Sequence, residues 1–115
     1  MTIRIEIPGN PVCKGRPRFG RRGAYTPAKT RAAESVIKLW LARFYQEPPC
    51  KQNVIMDIEF YLCDNRRRDI DNLGKLVLDA CNGKLYADDN QIIDLRLRKH
   101  VDKDYPHTII EMRIA

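Results

Sequence analysis

The chain has 115 residues, which is enough for one domain but leaves little room for a second hydrophobic core. Hydrophobic residues make up 43% and charged residues 31%, no apolar run approaches the ~20 residues of a membrane span, and no leader follows Met1, so we expect a soluble cytoplasmic protein. The formal net charge of +6 favours a polyanionic partner. The cysteines stand singly, without a C-x-x-C pair, which predicts reduced thiols at Cys13, Cys50, Cys63 and Cys81.

The first predicted element is a strand, and a basic segment follows it. The isoleucines of residues 3–7 alternate with polar residues, which is the period of a half-buried strand, and Pro8-Gly9 ends it. Residues 13–31 then carry seven cations and no acid. A solvated loop is one interpretation, but the single sign of charge, with Phe19 and Tyr25 interleaved, suits phosphates and base surfaces. We therefore predict nucleic-acid contacts from Lys14, Arg16, Arg18, Arg21 and Arg22.

A helix and a second strand come next. Thr26-Pro27 has the form of an N-cap followed by proline at the first helical position, and Pro48-Pro49 ends the helix. Its apolar stripe consists of Ala33, Val36, Ile37, Trp40 and Phe44. Residues 54–62 alternate in the period of a strand, which delivers the chain directly to three arginines. These arginines, Arg66, Arg67 and Arg68, are further candidates for DNA contact.

A second helix is predicted from near Asp71 to the stop signal Asn82-Gly83. Its apolar residues recur at helical spacing and are Leu73, Leu76, Val77 and Ala80. At 100° per residue, Asp71 and Lys75 lie together on the opposite side, where they are free for chemistry. Leu78 also falls there, so something else, such as a second subunit, is expected to cover part of that side.

Two more strands complete the chain. Residues 93–101 and 110–114 alternate in the strand period, and a turn through residues 104–106 joins them, so we expect an antiparallel hairpin with His100 and His107 on its surface. The element order is strand, helix, strand, helix, strand, strand. That order predicts a single α+β domain over residues 1–115, a two-layer sandwich of a mixed sheet and two main helices.

Two aspartates at the start of the second helix are the first candidates for chemistry. Asp69 and Asp71 stand where aspartates cap helices, and the structural alternative is that one accepts the free N–H groups while the other pairs with an arginine. The pair Asp88-Asp89 weighs against that alternative. A helix from Asp71 to Asn82 rises about 18 Å, and residues 83–88, if extended, reach roughly 20 Å back. We therefore expect an aspartate of this pair to return beside the first two.

A divalent metal ion would stabilise such converging carboxylates. Each pair about 4 Å apart repels by ~4 kcal/mol at an effective dielectric of about 20. Hard oxygen ligands without a nearby histidine or cysteine pair select Mg²⁺ or Mn²⁺ over zinc. Beside the arginines and the basic segment, such a site suggests phosphodiester hydrolysis, with the metal activating a water and neutralising charge on the phosphate. Lys75 is expected to act on the same oxygens or to orient the water.

A family resemblance covers most of the chain. The segment "RRRDIDNLGKLVLDACNGKLYADDNQIID" at residues 66–94 resembles the core of the RusA-type Holliday junction resolvases. That core consists of an arginine-rich lead, D-x-D-N-x-x-K, a helix and D-D-x-Q. The loop of bacterial and phage members resembles "KGRPRFGRRGAYTP" at residues 14–27. The resemblance implies metal binding by Asp69, Asp71 and Asp89, with Lys75 as the essential lysine. Spacing alone does not decide between Asp88 and Asp89.

The resemblance also implies a small homodimer that cuts four-way DNA junctions with magnesium, in recombination and repair, without a membrane or a small-molecule cofactor. A homodimer has an independent reason, because two symmetric nicks require two sites and the chain offers one carboxylate cluster. We expect its contact to use exposed apolar groups such as Leu78 or Ile109. Two alternatives stay open: a nuclease acting on flaps or forks, and a basic DNA-binding module without catalysis.

Overall fold

The fold was determined as a computed structural model that describes residues 2–15, 18–20, 23–25 and 28–115, with residues 18–20 and 23–25 described by their backbone alone. Two helices pack on one face of a four-stranded mixed sheet, which confirms the predicted two-layer α+β architecture. The sheet consists of β1 (Thr2–Pro8), β4 (Val54–Leu62), β5 (Ile92–Val101) and β6 (His107–Ile114). A separate two-stranded hairpin is formed by β2 (Arg18–Gly20) and β3 (Gly23–Tyr25).

The sheet order is β1-β6-β4-β5, and this order corrects one prediction. The prediction that the last two strands form an antiparallel hairpin is wrong, because β4 lies between them, parallel to β5 and antiparallel to β6. A central position suits β6, whose residues 107–110 are all buried. The segment 102–106 therefore carries the chain past the end of β4, where the Asp102 N–H donates to the Leu62 carbonyl at 2.8 Å.

The two histidines of this region also differ from expectation. His107 was predicted on the surface, but it is only 7% exposed. Its ring stacks between those of Tyr61 and Tyr105, with ring centres 4.2 Å and 4.5 Å away. His100 is half-buried and stacks on the other side of Tyr61 at 4.6 Å. Three stacking contacts with two tyrosines therefore hold both histidines in the packing on the face of the sheet opposite the helices.

The helices are α1 (Ala28–Phe44) and α2 (Ile70–Cys81). Thr26-Pro27, the predicted start of α1, lies outside the described residues. The predicted stripe of α1 is partly wrong, because Val36 and Phe44 are 45% and 55% exposed whereas Leu41 is buried. In α2 the stripe is confirmed: Leu73, Leu76, Val77 and Ala80 are all buried. Gly83 has φ of +74°, the left-handed conformation that lets glycine end a helix.

The apolar core lies between the helices and the sheet. Alternate residues of β4 point into it, and each is almost fully buried: Val54, Met56, Ile58, Phe60 and Leu62. None of the four cysteines, all of which belong to the described part of the chain, forms a disulfide. Burial raises the pKa of the Cys81 thiol to about 12, so this cysteine stays protonated as a packing group. The core fixes α2 against β4 and β5, and thereby the ends of α2 relative to the ends of those strands.

Candidate active site

The candidate site lies where β4 ends and α2 begins. Between them, Asp64 holds the connecting segment: its Oδ1 accepts a hydrogen bond from Arg68 Nη1 at 2.7 Å and another from the Arg66 N–H at 3.0 Å. The Arg68 guanidinium lowers the pKa of the Asp64 carboxyl to about 2. Lys99 of β5 ties down the same segment, because its ammonium donates to the Arg68 carbonyl at 2.7 Å. The residues before α2 are thus held by specific bonds.

Asp69 is the N-cap residue of α2, yet its side chain makes no capping hydrogen bond. The carboxylate is exposed, and among the described residues its Oδ2 accepts a single long contact, at 3.5 Å from the Asn72 side-chain amide. Asp71, also exposed, accepts the Asn72 backbone N–H at 2.9 Å. Neither aspartate has a cation within salt-bridge distance among the residues that the structure describes. Helix capping and pairing with an arginine, the structural alternative, therefore explain the position of the Asp71 side chain only in part and that of Asp69 hardly at all.

Other charged residues lie near these two aspartates in the chain. Lys75 lies four residues beyond Asp71, so both point from the same side of α2, and both are exposed as the sequence predicted. Arg66 and Arg67 are exposed at the end of β4. Arg66 is also within 3.6 Å of Asp64, but its side chain is 83% accessible. The start of α2 thus presents anionic oxygens beside three cations that solvent, or a ligand, can reach.

Asp89 lies at the other end of α2, and this corrects a geometric expectation. Residues 83–88 do not extend back along the helix; the Gly83 N–H donates to the Tyr86 carbonyl at 2.8 Å and closes a turn. Asp89 then begins a short 3-10 turn, Asp89–Gln91, just before β5. Gln91 holds this turn against the residues that precede β4, since its amide donates to the carbonyls of Cys50 and Gln52, both at 2.8 Å.

The two groups of carboxylates in one chain are therefore widely separated. Asp69 follows the carboxyl end of β4, whereas Asp89 precedes the amino end of the parallel strand β5. With 1.5 Å per residue along α2, the distance between them is on the order of 20 Å. Accordingly, nowhere in residues 2–15 and 28–115 do three or more His, Cys, Asp or Glu side chains lie together in a metal-binding group.

Asp89 stands in an acidic environment of its own. Desolvation, together with the neighbouring carboxyls of Asp88 and Asp79, raises its pKa. Asp79 itself is matched, because the Lys14 ammonium contacts its Oδ2 and lies 3.9 Å from Glu34. Lys14, predicted as a DNA contact, thus forms ion pairs within the protein, with Asp79 and Glu34. Arg68 likewise pairs with Asp64. The other predicted cations of the basic segment, Arg16, Arg18, Arg21 and Arg22, lie outside the described side chains.

Sequence reasoning missed the residues that support the site. The pairing of Asp64 with Arg68 has a sequence signal, since opposite charges four residues apart are placed to meet in a turn or helix. The contacts Lys14–Asp79 and Lys99–Arg68 have none, because 65 and 31 residues separate the partners. Only the tertiary fold brings them together.

Comparison with known families decides what this arrangement belongs to. The family model described as endodeoxyribonuclease RusA matches residues 8–113, almost the whole chain. The chain belongs to the RusA endodeoxyribonuclease family. It is also similar to an uncharacterized protein, YqaN of Bacillus subtilis (strain 168), with 27% identity over 127 aligned positions that cover 89% of each protein.

Membership of the family establishes the general activity. The protein is an endodeoxyribonuclease, a hydrolase that binds and cuts DNA, of a family that resolves Holliday junctions and generally depends on divalent metal ions. Neither of the two helices in the described part of the chain is long and apolar enough to cross a membrane.

Proposed function

We propose that this protein is a magnesium-dependent nuclease that resolves four-way DNA junctions by paired symmetric nicks, in DNA recombination and repair. The observation that carries the proposal is the state of Asp69. It occupies the N-cap position of α2 without capping it, and its carboxylate is exposed. An N-cap aspartate normally stabilises a helix by about 1 kcal/mol, so a side chain turned away from that role is available for another.

The donor set fits a hard divalent ion. The carboxylates of Asp69 and Asp71 supply the oxygen donors that Mg²⁺ and Mn²⁺ prefer, and the positive end of the α2 dipole reduces the cost of holding both as anions. We propose Asp89 as a third ligand, in line with its position in the family pattern; because it lies on the order of 20 Å from Asp69 in the same chain, it would come from the other copy in the proposed homodimer. When bound, the metal ion supplies charge neutralisation at the phosphate and activation of water.

The other residues of the site have separate tasks in the proposed mechanism. Lys75, one turn beyond Asp71, directs its ammonium toward the scissile phosphate and stabilises the charge that develops there. Arg66 and Arg67 hold the DNA backbone through charge-assisted hydrogen bonds. The basic segment adds Arg16, Arg18, Arg21 and Arg22. Lys14 and Arg68 would have to release their internal carboxylates before they could contact DNA.

Substrate choice and oligomeric state follow from the same proposal. Phosphates carry no sequence information, so a preference for four-way junctions comes from where the basic surfaces lie relative to the branched DNA. Two symmetric nicks require two sites related by a two-fold axis, which a homodimer supplies. We therefore propose a homodimer as the active form.

The test compares two aspartates of the same helix. Labelled four-way junction is incubated with the protein, with and without Mg²⁺, beside fork and flap substrates. We expect symmetric paired cuts in the junction only with Mg²⁺. Asp71→Asn should retain junction binding and lose cutting by at least about 10²-fold, the scale of losing one preorganised charged group at a reacting phosphate.

Asp79→Asn is the matched control, since it removes the same charge from the other end of α2, where Lys14 already pairs with it. It should retain cutting. Unchanged cutting by Asp71→Asn would refute the proposed site. If Asp71→Asn loses both its DNA binding and its cooperative unfolding transition, Asp71 serves the stability of the fold. Preferential cutting of forks or flaps would replace the four-way junction as the substrate.

A further inference from the structure

The side of α1 that faces solvent carries large apolar residues. Val36, Leu39 and Phe44 are 45%, 71% and 55% exposed. Exposed apolar contacts were expected instead at Leu78 and Ile109. Leu78 is half-buried, and the expectation for Ile109 is wrong, because this residue is only 8% exposed and belongs to the sheet. Contiguous exposed apolar residues mark sites where a protein meets a partner, so the arrangement of those on α1 is informative.

Three apolar residues form a row along one side of α1. Val36, Trp40 and Phe44 recur at every fourth position, so they follow one another over about 12 Å of the helix. The rings of Trp40 and Phe44 are stacked, with their centres 5.6 Å apart. The Arg43 guanidinium lies 5.7 Å and 5.6 Å from these two centres, and this cation–π contact holds the rings in place.

Two adjoining depressions lie between this row and β1. The first has a volume of about 160 Å³, and its walls are mainly apolar, with Val36 on the side of α1. An apolar cavity of about 150 Å³ accepts a benzene ring, so this depression has room for one apolar side chain. Trp40, Phe44 and Tyr105 line the second. Because Pro8 borders both, the two depressions form one surface, the α1–β1 groove.

The α1–β1 groove does not include the candidate active site. Asp69, Asp71 and Lys75 line neither depression. β1 is also one edge of the sheet, whereas the site lies where β4 ends, beside the opposite edge strand β5. A ligand of the groove would therefore leave the aspartates at the start of α2 accessible to DNA.

The charges around the groove indicate which partner fits it. Four exposed cations of α1 have no acid within salt-bridge distance among the described residues: Lys29, Arg31, Lys38 and Arg43. Glu34, the single acid of α1, lies 3.9 Å from the Lys14 ammonium. Glu6 lines the second depression, but it contacts the Tyr105 hydroxyl at 3.4 Å and His107 at 3.6 Å. The helix beside the groove is thus an apolar row with excess positive charge.

We propose that the α1–β1 groove binds an acidic segment of a partner protein through two apolar side chains. One side chain enters the first depression, and the other, an aromatic ring, packs against Trp40 and Phe44. The depressions are centred about 9 Å apart along α1, which an extended peptide spans in three residues. Acidic residues on both sides of these anchors pair with Arg43 and Lys29. The groove would thereby recruit the nuclease to a protein that is already bound at branched DNA.

Two other occupants fit the groove less well. A second copy of this chain would bring the cations of one α1 against those of the other, which repel. DNA would match the cations, but phosphates gain nothing from a depression with apolar walls. An acidic peptide with apolar anchors satisfies both features of the surface at once.

Selection from random peptides tests the chemistry of the partner. The displayed peptides have about 12 residues, enough to span both depressions in an extended conformation. They are selected on the wild-type protein and counter-selected on a variant that carries both Arg43→Glu and Phe44→Ser. Enriched peptides should be acidic and should have two large apolar residues about three positions apart. Failure to enrich any peptide, or enrichment of neutral or basic ones, overturns the proposal.

The location of binding is tested with one selected peptide and single variants. Trp40 is the only tryptophan of the chain, so its fluorescence should change as the peptide fills the groove. Arg43→Glu and Phe44→Ser should each weaken binding by at least about 10-fold, the scale of residues that carry interface energy. Lys38→Glu and Leu39→Ser are the matched controls, because they make similar changes on the same helix outside both depressions. These controls should keep the wild-type affinity.

Peptide binding that survives both Arg43→Glu and Phe44→Ser would overturn the assignment to the groove. Circular dichroism establishes that each variant is folded, and if Phe44→Ser unfolds, the exposed substitution Arg43→Glu decides alone. Equal losses for Lys38→Glu and Arg43→Glu would show that net charge, not the groove, attracts the peptide, and would also overturn the proposal.

Junction DNA separates this inference from the proposed function. All four variants should bind and cut the four-way junction as the wild-type protein does, with the peptide present or absent. Wild-type protein that binds the peptide without cutting junctions refutes only the proposed function. If junction DNA displaces the peptide and Arg43→Glu loses DNA binding, α1 is a DNA surface and the partner segment is refuted.

Discussion

The two ends of α2 are built for different purposes. At its end, Asp79 is matched by Lys14, and the hydroxyl of the fully buried Tyr86 donates to the Leu78 carbonyl at 2.8 Å. At its start, Asp69 and Asp71 are exposed and have no such cation among the described residues. The paired polar groups at the end of α2 anchor the helix in the fold. With that anchor in place, the start of the helix can carry two carboxylates that are not paired with a described cation.

Tyr86 gives the largest expected effect on the anchored end. Because its side chain fills a closed space at the helix end, Tyr86→Ala should lower the free energy of unfolding by about 3–5 kcal/mol. Tyr86→Phe keeps the packing and loses only the hydrogen bond to Leu78, so it should cost about 1 kcal/mol. Urea unfolding followed by circular dichroism measures both. Equal losses for the two variants would mean that the hydroxyl, not the ring, anchors this end.

The start of α2 should respond through DNA binding rather than stability. If Arg66 and Arg67 contact phosphates, replacing both by alanine should flatten the slope of log affinity against log salt by about 1.8 for duplex-like arms. Fluorescence anisotropy with labelled junction DNA over a salt series measures this slope.

A matched control for that experiment removes two exposed cations elsewhere, Lys38 of α1 and Arg113 of β6. This variant should keep the wild-type slope. If both double variants change the slope equally, only net charge matters and the start of α2 is no specific DNA surface. The same replacement of Arg21 and Arg22 applies the test to the basic segment.

Much of this contrast could be predicted from the sequence. Apolar periodicity placed α2 and β4 almost to the residue, and it placed Asp71 and Lys75 together on the exposed side of the helix. The pattern of a strand gives the face that each residue takes but not the neighbouring strand. The parallel pairing of β5 with β4, and with it the position of Asp89, was therefore missed. One signal was available, since a strand–helix–strand unit is the usual means of joining parallel strands.

The basic segment was predictable only in composition. Its charge was evident, but the hairpin of β2 and β3 was not, because two strands of three residues are too short to show a period. The ion pair of Lys14 with Asp79 could not be predicted for another reason. A cation within a basic run indicates a DNA contact, and the acidic partner of Lys14 lies 65 residues away in the sequence.

A double-mutant cycle sharpens the role of Lys14. The side chains of Lys14 and Asp79 are 24% and 27% exposed, so the pair is only partly screened by solvent. We expect Lys14→Met and Asp79→Asn to show a coupling free energy of up to about 1 kcal/mol in urea unfolding. Zero coupling, together with a salt slope that changes for Lys14→Met, would assign Lys14 to DNA instead.

The smallest expected effect concerns Asp64, the carboxylate that organises the approach to the site. Its pKa in the folded protein is lowered to about 2 by Arg68, below its ordinary value. A group with a lowered pKa in the folded state contributes stability above its unfolded pKa, and that contribution is lost as the pH falls through the folded pKa. The stability of the wild-type protein should therefore decrease between about pH 4 and pH 2 by a small amount that Asp64→Asn abolishes.

Thermal unfolding of both proteins across this pH range measures the difference, and Asp104→Asn, which alters another aspartate in an exposed turn, serves as control. The Arg68 carbonyl also accepts a hydrogen bond from the Lys99 ammonium. Loss of the Asp64 carboxylate should therefore leave the segment between β4 and α2 attached to β5. Cutting by Asp64→Asn at neutral pH should consequently remain. If cutting is lost while folding is intact, Asp64 belongs with the exposed aspartates at the start of α2 and not with the carboxylates that anchor the fold.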